Sequence, residues 1–170
     1  MDPLARYAAA LNDAKVRYVV IGVWGANYYA RGSLFLTEDQ DLFVPPDPKN
    51  LLRAWTAAEA LGLELRSGQE PLDIPRDQRL AQAVVDRRAL TSATDGAQLD
   101  VDLSLVMTGL EFDAVHAARR VFRVGTVEMP VARLSDIVES KAKAGRAKDR
   151  LFLATHAATL RRLLADTGSP

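Results

Sequence analysis

Residues 18–44 read YVVIGVWGANYYARGSLFLTEDQDLFV, and this stretch decides the fold. The run from Arg17 to Ile21 is almost entirely apolar, which is typical of a central strand that is covered on both faces. Gly22 closes that run, and together with Gly25 it predicts a tight turn from the strand into a short helix. We expect this helix to end near Gly32, since glycine commonly follows the last residue of a helix.

An acidic pair lies on the next predicted strand. Residues 39–44 alternate in polarity before two prolines end the run, which predicts a second strand. Side chains at positions i and i+2 of a strand point the same way, so Asp39 and Asp41 should lie side by side.

A second acidic pair, Asp100 and Asp102, repeats this arrangement on a strand predicted over residues 98–105, whose other face is apolar. Like charges at such distances repel, so the cluster requires a bound proton, neighbouring basic side chains or a divalent cation. Two aspartates on one strand face can also simply be solvated, and neither pair by itself decides between these interpretations.

Composition restricts the class of protein. The chain has 170 residues, of which 48% are hydrophobic and 26% charged, as expected for one compact domain rather than a disordered, fibrous or repeat protein. The 22 basic and 22 acidic residues balance, so no overall charge attracts nucleic acid or an anionic membrane. Without cysteine, disulfides and thiolate chemistry are excluded, and carboxylates are the main candidate metal ligands, which favours magnesium. We expect a cytoplasmic protein, because the sequence contains neither a secretory signal pattern nor a long apolar run.

Hydrophobic periodicity predicts an α/β (α+β) fold, a mixed sheet flanked by helices. We expect the chain to form a single domain over residues 1–170, with a core at about 16–132 and C-terminal helices at about 133–166. The segment 67–78, rich in proline, glycine and charge, predicts a mobile loop over a site. The predicted helices span residues 3–14, 48–60, 109–118, 134–144 and 147–165, and further strands span residues 63–66, 83–90, 120–124 and 127–131.

Three segments resemble one family. Tyr18–Val44 resembles the signature of the DNA polymerase β type nucleotidyltransferase superfamily, and is most similar to small bacterial aminoglycoside and lincosamide nucleotidyltransferases. The sequence GAQLDVDL, residues 96–103, resembles the strand that supplies the third carboxylate of that family, with Asp100 in its position. Met129–Asp149 is similar to the end of AbiEii-type nucleotidyltransferases. The resemblance implies a nucleotidyltransferase fold.

The resemblance also implies a reaction, in which a nucleoside monophosphate moves from a nucleoside triphosphate to an acceptor hydroxyl and pyrophosphate leaves. Asp39 and Asp41 are then expected to bind magnesium, or manganese, and the nucleotide. Asp100 is expected to be the third carboxylate and general base for the acceptor, with Asp102 as a weaker fourth metal ligand.

Glycines and bases are the expected phosphate contacts. Gly22 and Gly25 would let the backbone approach the phosphates, and Lys141 would offset the charge of the leaving pyrophosphate. Lys141 falls on the packed stripe of its helix, so covering apolar surface with its stem is an equal alternative. Arg146 and Lys148 lie at the start of the next predicted helix, where a positive helix end favours an anion.

The acceptor and the partners remain open at the level of sequence. The acceptor could be a small molecule, a tRNA or a protein, and a toxin role would add a partner antitoxin. A second copy of the chain could complete the acceptor pocket. Val23 and Phe35 stand where the family usually has a small residue and a nearby arginine, so a non-catalytic nucleotide-binding or partner-binding module is an alternative. A metal-dependent nuclease is another.

Overall fold

An eight-stranded mixed sheet forms the centre of the computed structural model, which describes residues 1–31 and 34–167. The strands are β1 (Val19–Ile21), β2 (Gln40–Phe43), β3 (Glu64–Ser67), β4 (Glu70–Pro71), β5 (Thr91–Thr94), β6 (Asp100–Ser104), β7 (Arg120–Val124) and β8 (Val127–Val131). The helices are α1 (Pro3–Asp13), α2 (Gly22–Tyr29), α3 (Pro48–Ala60), α4 (Gln78–Arg87), α5 (Phe112–Ala117), α6 (Leu134–Ala144), α7 (Ala147–Thr155) and α8 (Ala157–Asp166).

The strand order across the sheet is β4-β3-β5-β6-β2-β1-β8-β7. β2 and β6 run parallel, as do β1 and β8, whereas the other neighbouring strands are antiparallel. The predicted fold class, a mixed sheet flanked by helices, is therefore confirmed. The two parallel pairings matter most for the site, because they bring strands together that are far apart in sequence.

The helices form two packed groups, and sequence signals fix where several of them begin. α1 packs on α3, which packs on α4, while α2 packs on α6 and α6 on α7. The Asp2 carboxylate accepts a hydrogen bond from the Ala5 amide at the start of α1, and Asp47 caps α3 in the same way. Among the described residues, no helix is long and apolar enough to cross a membrane.

Local sequence predicted several elements to within a residue. The helices predicted over 48–60 and 134–144 and the strands over 120–124 and 127–131 are observed with those bounds. Asp95 accepts hydrogen bonds from three following amides, of residues 97–99, and so makes the turn between β5 and β6.

The strand predicted over residues 83–90 is wrong. Residues 83–87 belong to α4, whose first turn is capped by the Asp77 carboxylate, which accepts from the Leu80 amide at 3.0 Å. Ala81 and Val84 are the buried residues of α4, at the spacing of one helical turn. The strand that pairs with β6 is instead β5, made of small residues and threonines that carry little hydrophobic signal.

Two further boundaries differ from expectation. Residues 67–78 are not a loop over a site, because they include β4, which pairs with β3 at the far edge of the sheet. The last predicted helix is divided at His156 into α7 and α8. The helix after β1 ends at Tyr29, and Gly32, where we expected its end, lies outside the described residues.

Candidate active site

A cavity of about 840 Å³ opens where β1, β2 and β6 face α6 and α7. Its lining combines acidic, basic and apolar side chains. The acidic lining residues are Asp39, Asp41, Asp102 and Asp149, the basic ones are Lys141, Lys143, Arg146 and Lys148, and the exposed apolar ones are Leu36, Leu90 and Val106.

Two carboxylates face each other across neighbouring strands. In the parallel register of β2 and β6, Asp41 pairs with Asp102. Burial, and next the charge of Asp39, raises the pKa of Asp41. Burial, followed by the charges of Asp41 and Asp100, raises the pKa of Asp102 to about 6. The protein alone therefore does not compensate the negative charge that it concentrates here.

Asp100 does not join this pair. It is exposed, stands opposite Thr94 of β5, and is not part of the cavity lining. Its backbone amide contacts the side-chain oxygen of Gln40 at 3.3 Å. The strand register thus brings Asp102 beside Asp41, where the sequence analysis expects Asp100 as the third carboxylate.

The two glycines have different places. Gly22 lines the cavity with φ +70°, and a Cβ there would lie 3.1 Å from Oδ2 of Asp41. Gly25 is buried outside the lining, where a Cβ would lie 3.1 Å from the Val20 carbonyl oxygen and 3.2 Å from Ile137 Cδ1. Gly25 therefore allows α2 to pack closely on β1 and α6, and it does not line the cavity where we expected it to approach the phosphates.

Three bases and Asp149 form an ordered cluster on the opposite wall. Arg146 donates to the buried Asp149 carboxylate through Nε at 2.7 Å and Nη2 at 3.2 Å, and Lys141 Nζ lies 3.5 Å from the same group. Burial opposes ionisation of Asp149, but these hydrogen bonds and charges lower its pKa overall. Lys148 lines the cavity from the same turn of α7.

Lys141 is a partly buried residue of the cavity wall, and its proposed contact with a phosphate stays a prediction. Its side chain is only 14% exposed and its ammonium lies 5.2 Å from the centre of the Phe152 ring, so the stem covers apolar surface. The same residue lines the cavity. Lys143, which sequence analysis did not select, also lines it and extends over Gly109.

The two departures from the family pattern also have defined places. Val23 lines the cavity directly after Gly22. Phe35 is buried, packs edge-on against Phe152, and has its backbone held by two hydrogen bonds with the Asn27 side-chain amide. Phe35 is thus a packing residue beside the cavity.

The acidic residues fit a divalent cation of the magnesium type. Among residues 1–31 and 34–167, no three His, Cys, Asp or Glu side chains form a preformed metal-binding group. Magnesium, however, is usually held by one or two carboxylates together with substrate phosphates and water rather than by a complete protein cage. Facing oxygen donors with raised pKa values, such as Asp41 and Asp102, have the chemistry of such a partial site.

Comparison with solved structures supports the same class of fold. The chain is similar to the solution structure of the antibiotic-resistance factor ANT(2'')-Ia, an aminoglycoside nucleotidyltransferase, with a TM-score of 0.56 and 14% sequence identity. The likeness covers 99% of this chain and 94% of that one. The fold is nucleotidyltransferase-like.

Sequence comparison does not identify a family for the chain. No protein-family model matches the chain, and no curated protein matches it. The likeness to AbiEii-type proteins therefore stays a prediction.

Proposed function

We propose that the protein is a metal-dependent nucleotidyltransferase, which transfers a nucleoside monophosphate from a nucleoside triphosphate to a hydroxyl group of an acceptor. The observation that carries this proposal is the pairing of Asp41 with Asp102 in a cavity whose opposite wall is basic. Such a cavity can hold a polyphosphate by its bases and a cation by its acids. The nucleotidyltransferase-like fold supports the same reaction.

Asp39, Asp41 and Asp102 are the residues that would hold the metal. Asp102 takes the role that the sequence suggested for Asp100, because it is the carboxylate opposite Asp41. Magnesium, when bound, would neutralise charge on the phosphate oxygens and lower the pKa of a coordinated hydroxyl.

The remaining lining residues would hold the phosphates. Lys141, Arg146 and Lys148 supply positive charge on the wall formed by α6 and α7. Asp149 keeps Arg146 and Lys141 at fixed positions, which lowers the conformational entropy lost when an anion binds. Gly22 leaves room for a phosphate oxygen to approach the backbone beside Asp41.

The reaction needs one proton acceptor. The oxygen of the acceptor hydroxyl attacks the α-phosphorus, the bond from that phosphorus to the oxygen bridging to the β-phosphate breaks, and pyrophosphate leaves. Asp102 would accept the hydroxyl proton, since the uncharged lining residues Ser104 and Val106 follow it along the chain.

Calorimetry with nucleotides tests the proposal. ATP, GTP, CTP and UTP are titrated with and without magnesium into the wild type and into the double variant Asp39→Asn/Asp41→Asn. We expect magnesium-dependent binding of at least one nucleotide to the wild type and none to the variant. Absence of binding to the wild type would overturn the proposal, and binding without transfer to any acceptor would favour the non-catalytic module.

A further inference from the structure

We propose, on the basis of the nucleotidyl transfer proposed above, that the acceptor is a small uncharged molecule whose hydroxyl lies beside an apolar face. The structure assigns the binding of that face to Leu90 and Val106, with Leu36 at the mouth of the cavity. A polycationic acceptor does not fit this wall.

Three exposed apolar side chains line the cavity. Among the described residues, eight large hydrophobic side chains are exposed, and three of them, Leu36, Leu90 and Val106, line this one cavity with exposures of 95%, 48% and 44%. Apolar surface that is gathered in a concave site, rather than scattered, indicates a ligand with complementary apolar surface.

Hydrogen bonds hold the backbone of the segment that carries Val106. The Ser104 hydroxyl donates to the Val106 carbonyl oxygen at 2.7 Å and accepts from the Val106 amide at 3.2 Å. The following turn is closed by a bridge between Met107 and Leu110, and Met107 is buried. Val106 is therefore held with its side chain exposed by local hydrogen bonds, as a preorganised binding residue would be.

This wall also has the right position for an acceptor. Ser104 follows Asp102 by two residues on β6, so both side chains lie on the same face of the strand. An acceptor resting on Leu90 and Val106 would bring a hydroxyl to the Asp102 carboxylate, which is the proton acceptor of the proposed reaction.

Charge selects the class of acceptor. The carboxylates among the described lining residues are Asp39, Asp41 and Asp102, which are engaged in the proposed metal site, and Asp149, which is ion-paired with Arg146. No lining carboxylate of the described chain is thus left over for an ammonium group, and the lysines repel one. An anionic acceptor would be repelled by the triphosphate that the basic wall is proposed to hold, so an uncharged acceptor has the least electrostatic cost.

Three probes test this assignment. Methyl β-glucoside and 4-methylumbelliferyl β-glucoside share their hydroxyls, but only the second has a flat apolar face, and kanamycin is a polycationic aminosugar. Binding is measured by protein NMR with magnesium and a non-hydrolysable nucleotide analogue present. We expect the umbelliferyl glucoside to bind at least about tenfold more tightly than either other probe, because it buries additional apolar surface.

A matched pair of variants locates the binding. Val106→Ser should weaken umbelliferyl glucoside binding about threefold or more, whereas Val121→Ser, at a similarly exposed valine of β7 outside the cavity, should not change it. Equal or tighter binding of kanamycin, or no effect of Val106→Ser, overturns the assignment. So does a wild-type dimer that Val106→Ser dissociates, because a second copy would then be the occupant.

Nucleotide binding measured in the same samples separates the two proposals. If the nucleotide analogue binds with magnesium but the umbelliferyl glucoside is not preferred, the acceptor class alone is wrong. If the analogue does not bind, the nucleotidyl transfer itself is wrong, and the acceptor assignment is overturned with it.

Discussion

Asp41 and Asp102 stand opposite each other in the parallel register of β2 and β6, although the two strands are far apart in sequence. Burial raises the pKa of both, the charge of Asp39 raises that of Asp41 further, and the charge of Asp41 raises that of Asp102, so the metal-free protein holds this pair at an electrostatic cost. Proteins commonly accept such a cost where a ligand removes it, which makes this pair the centre of the functional proposal.

Asp102→Asn should strongly reduce nucleotidyl transfer, whereas Asp100→Asn should not. We expect Asp102→Asn to reduce nucleotidyl transfer at least about 100-fold, the usual contribution of a positioned proton acceptor. Asp100→Asn, on the same strand but outside the cavity lining, should stay within about threefold of the wild type. Steady-state rates of pyrophosphate release compare the two, and equal losses in both variants would contradict the assignment.

Asp149 should stabilise the protein through its buried contacts with Arg146 and Lys141. Asp149→Asn removes a charged hydrogen-bond acceptor and should lower the free energy of unfolding at pH 7 by about 2 kcal/mol. Glu139→Gln, which breaks the more exposed pair with Lys143, should cost less than about 0.5 kcal/mol. Urea denaturation measures both, and similar losses would show that burial of Asp149 is unimportant.

This contribution should depend on pH in a defined direction. Because the pKa of Asp149 is lowered in the folded protein, its contribution is complete above the ordinary aspartate pKa, 3.8, and is lost as the pH falls through the lower folded value. The difference in stability between the wild type and Asp149→Asn should be constant from pH 7 to about pH 4 and shrink below it. A difference that grows on acidification would contradict this.

Alanine at Gly22 should damage the site as well as the backbone. Gly22 has φ +70°, and its new Cβ would lie 3.1 Å from Oδ2 of Asp41. Gly62 has φ +76° with nothing within 4 Å of the position that an added methyl group would take, so Gly62→Ala reports backbone strain alone. Both variants should lose about 1 kcal/mol of stability, but only Gly22→Ala should weaken magnesium-dependent nucleotide binding in calorimetry. Unchanged nucleotide affinity in Gly22→Ala would contradict a close approach there.

Gly25 should matter for packing and not for phosphate binding. An alanine Cβ would lie 3.1 Å from the Val20 carbonyl oxygen. Gly25→Ala should therefore lower the free energy of unfolding by about 1–3 kcal/mol and the melting temperature by several degrees. The folded fraction should still bind nucleotide with the wild-type affinity. A large loss of nucleotide affinity without a loss of folding stability would show instead that Gly25 contributes to phosphate binding.

The sequence predicts a helix correctly where the local signals for a helix are not contradicted by strand-favouring residues. α3 begins at a capping aspartate followed by proline, and its bounds were predicted correctly. α4 was mistaken for a strand because Val84 and Val85 favour strands, whereas the deciding signal was the Asp77 cap several residues earlier. Local propensity is thus a weaker guide than the residue that satisfies the first amides of a helix.

The site could be predicted only in part, because its arrangement depends on contacts between distant segments. The period of a strand places Asp100 and Asp102 on one face, but only the register between β2 and β6 decides which of them meets Asp41. Leu36, Leu90 and Val106 belong to three separate connections and share no periodic pattern, so no local signal could have brought them together.

The most direct measurement is the position of a bound cation. Mn²⁺ is added to isotope-labelled protein with the nucleoside triphosphate that binds most tightly, and paramagnetic broadening of each backbone amide is recorded by NMR. We predict the strongest broadening around Asp41 and Asp102, and its loss in Asp41→Asn/Asp102→Asn but not in Asp100→Asn. Broadening centred elsewhere, or unchanged in the double variant, would contradict the proposed metal site.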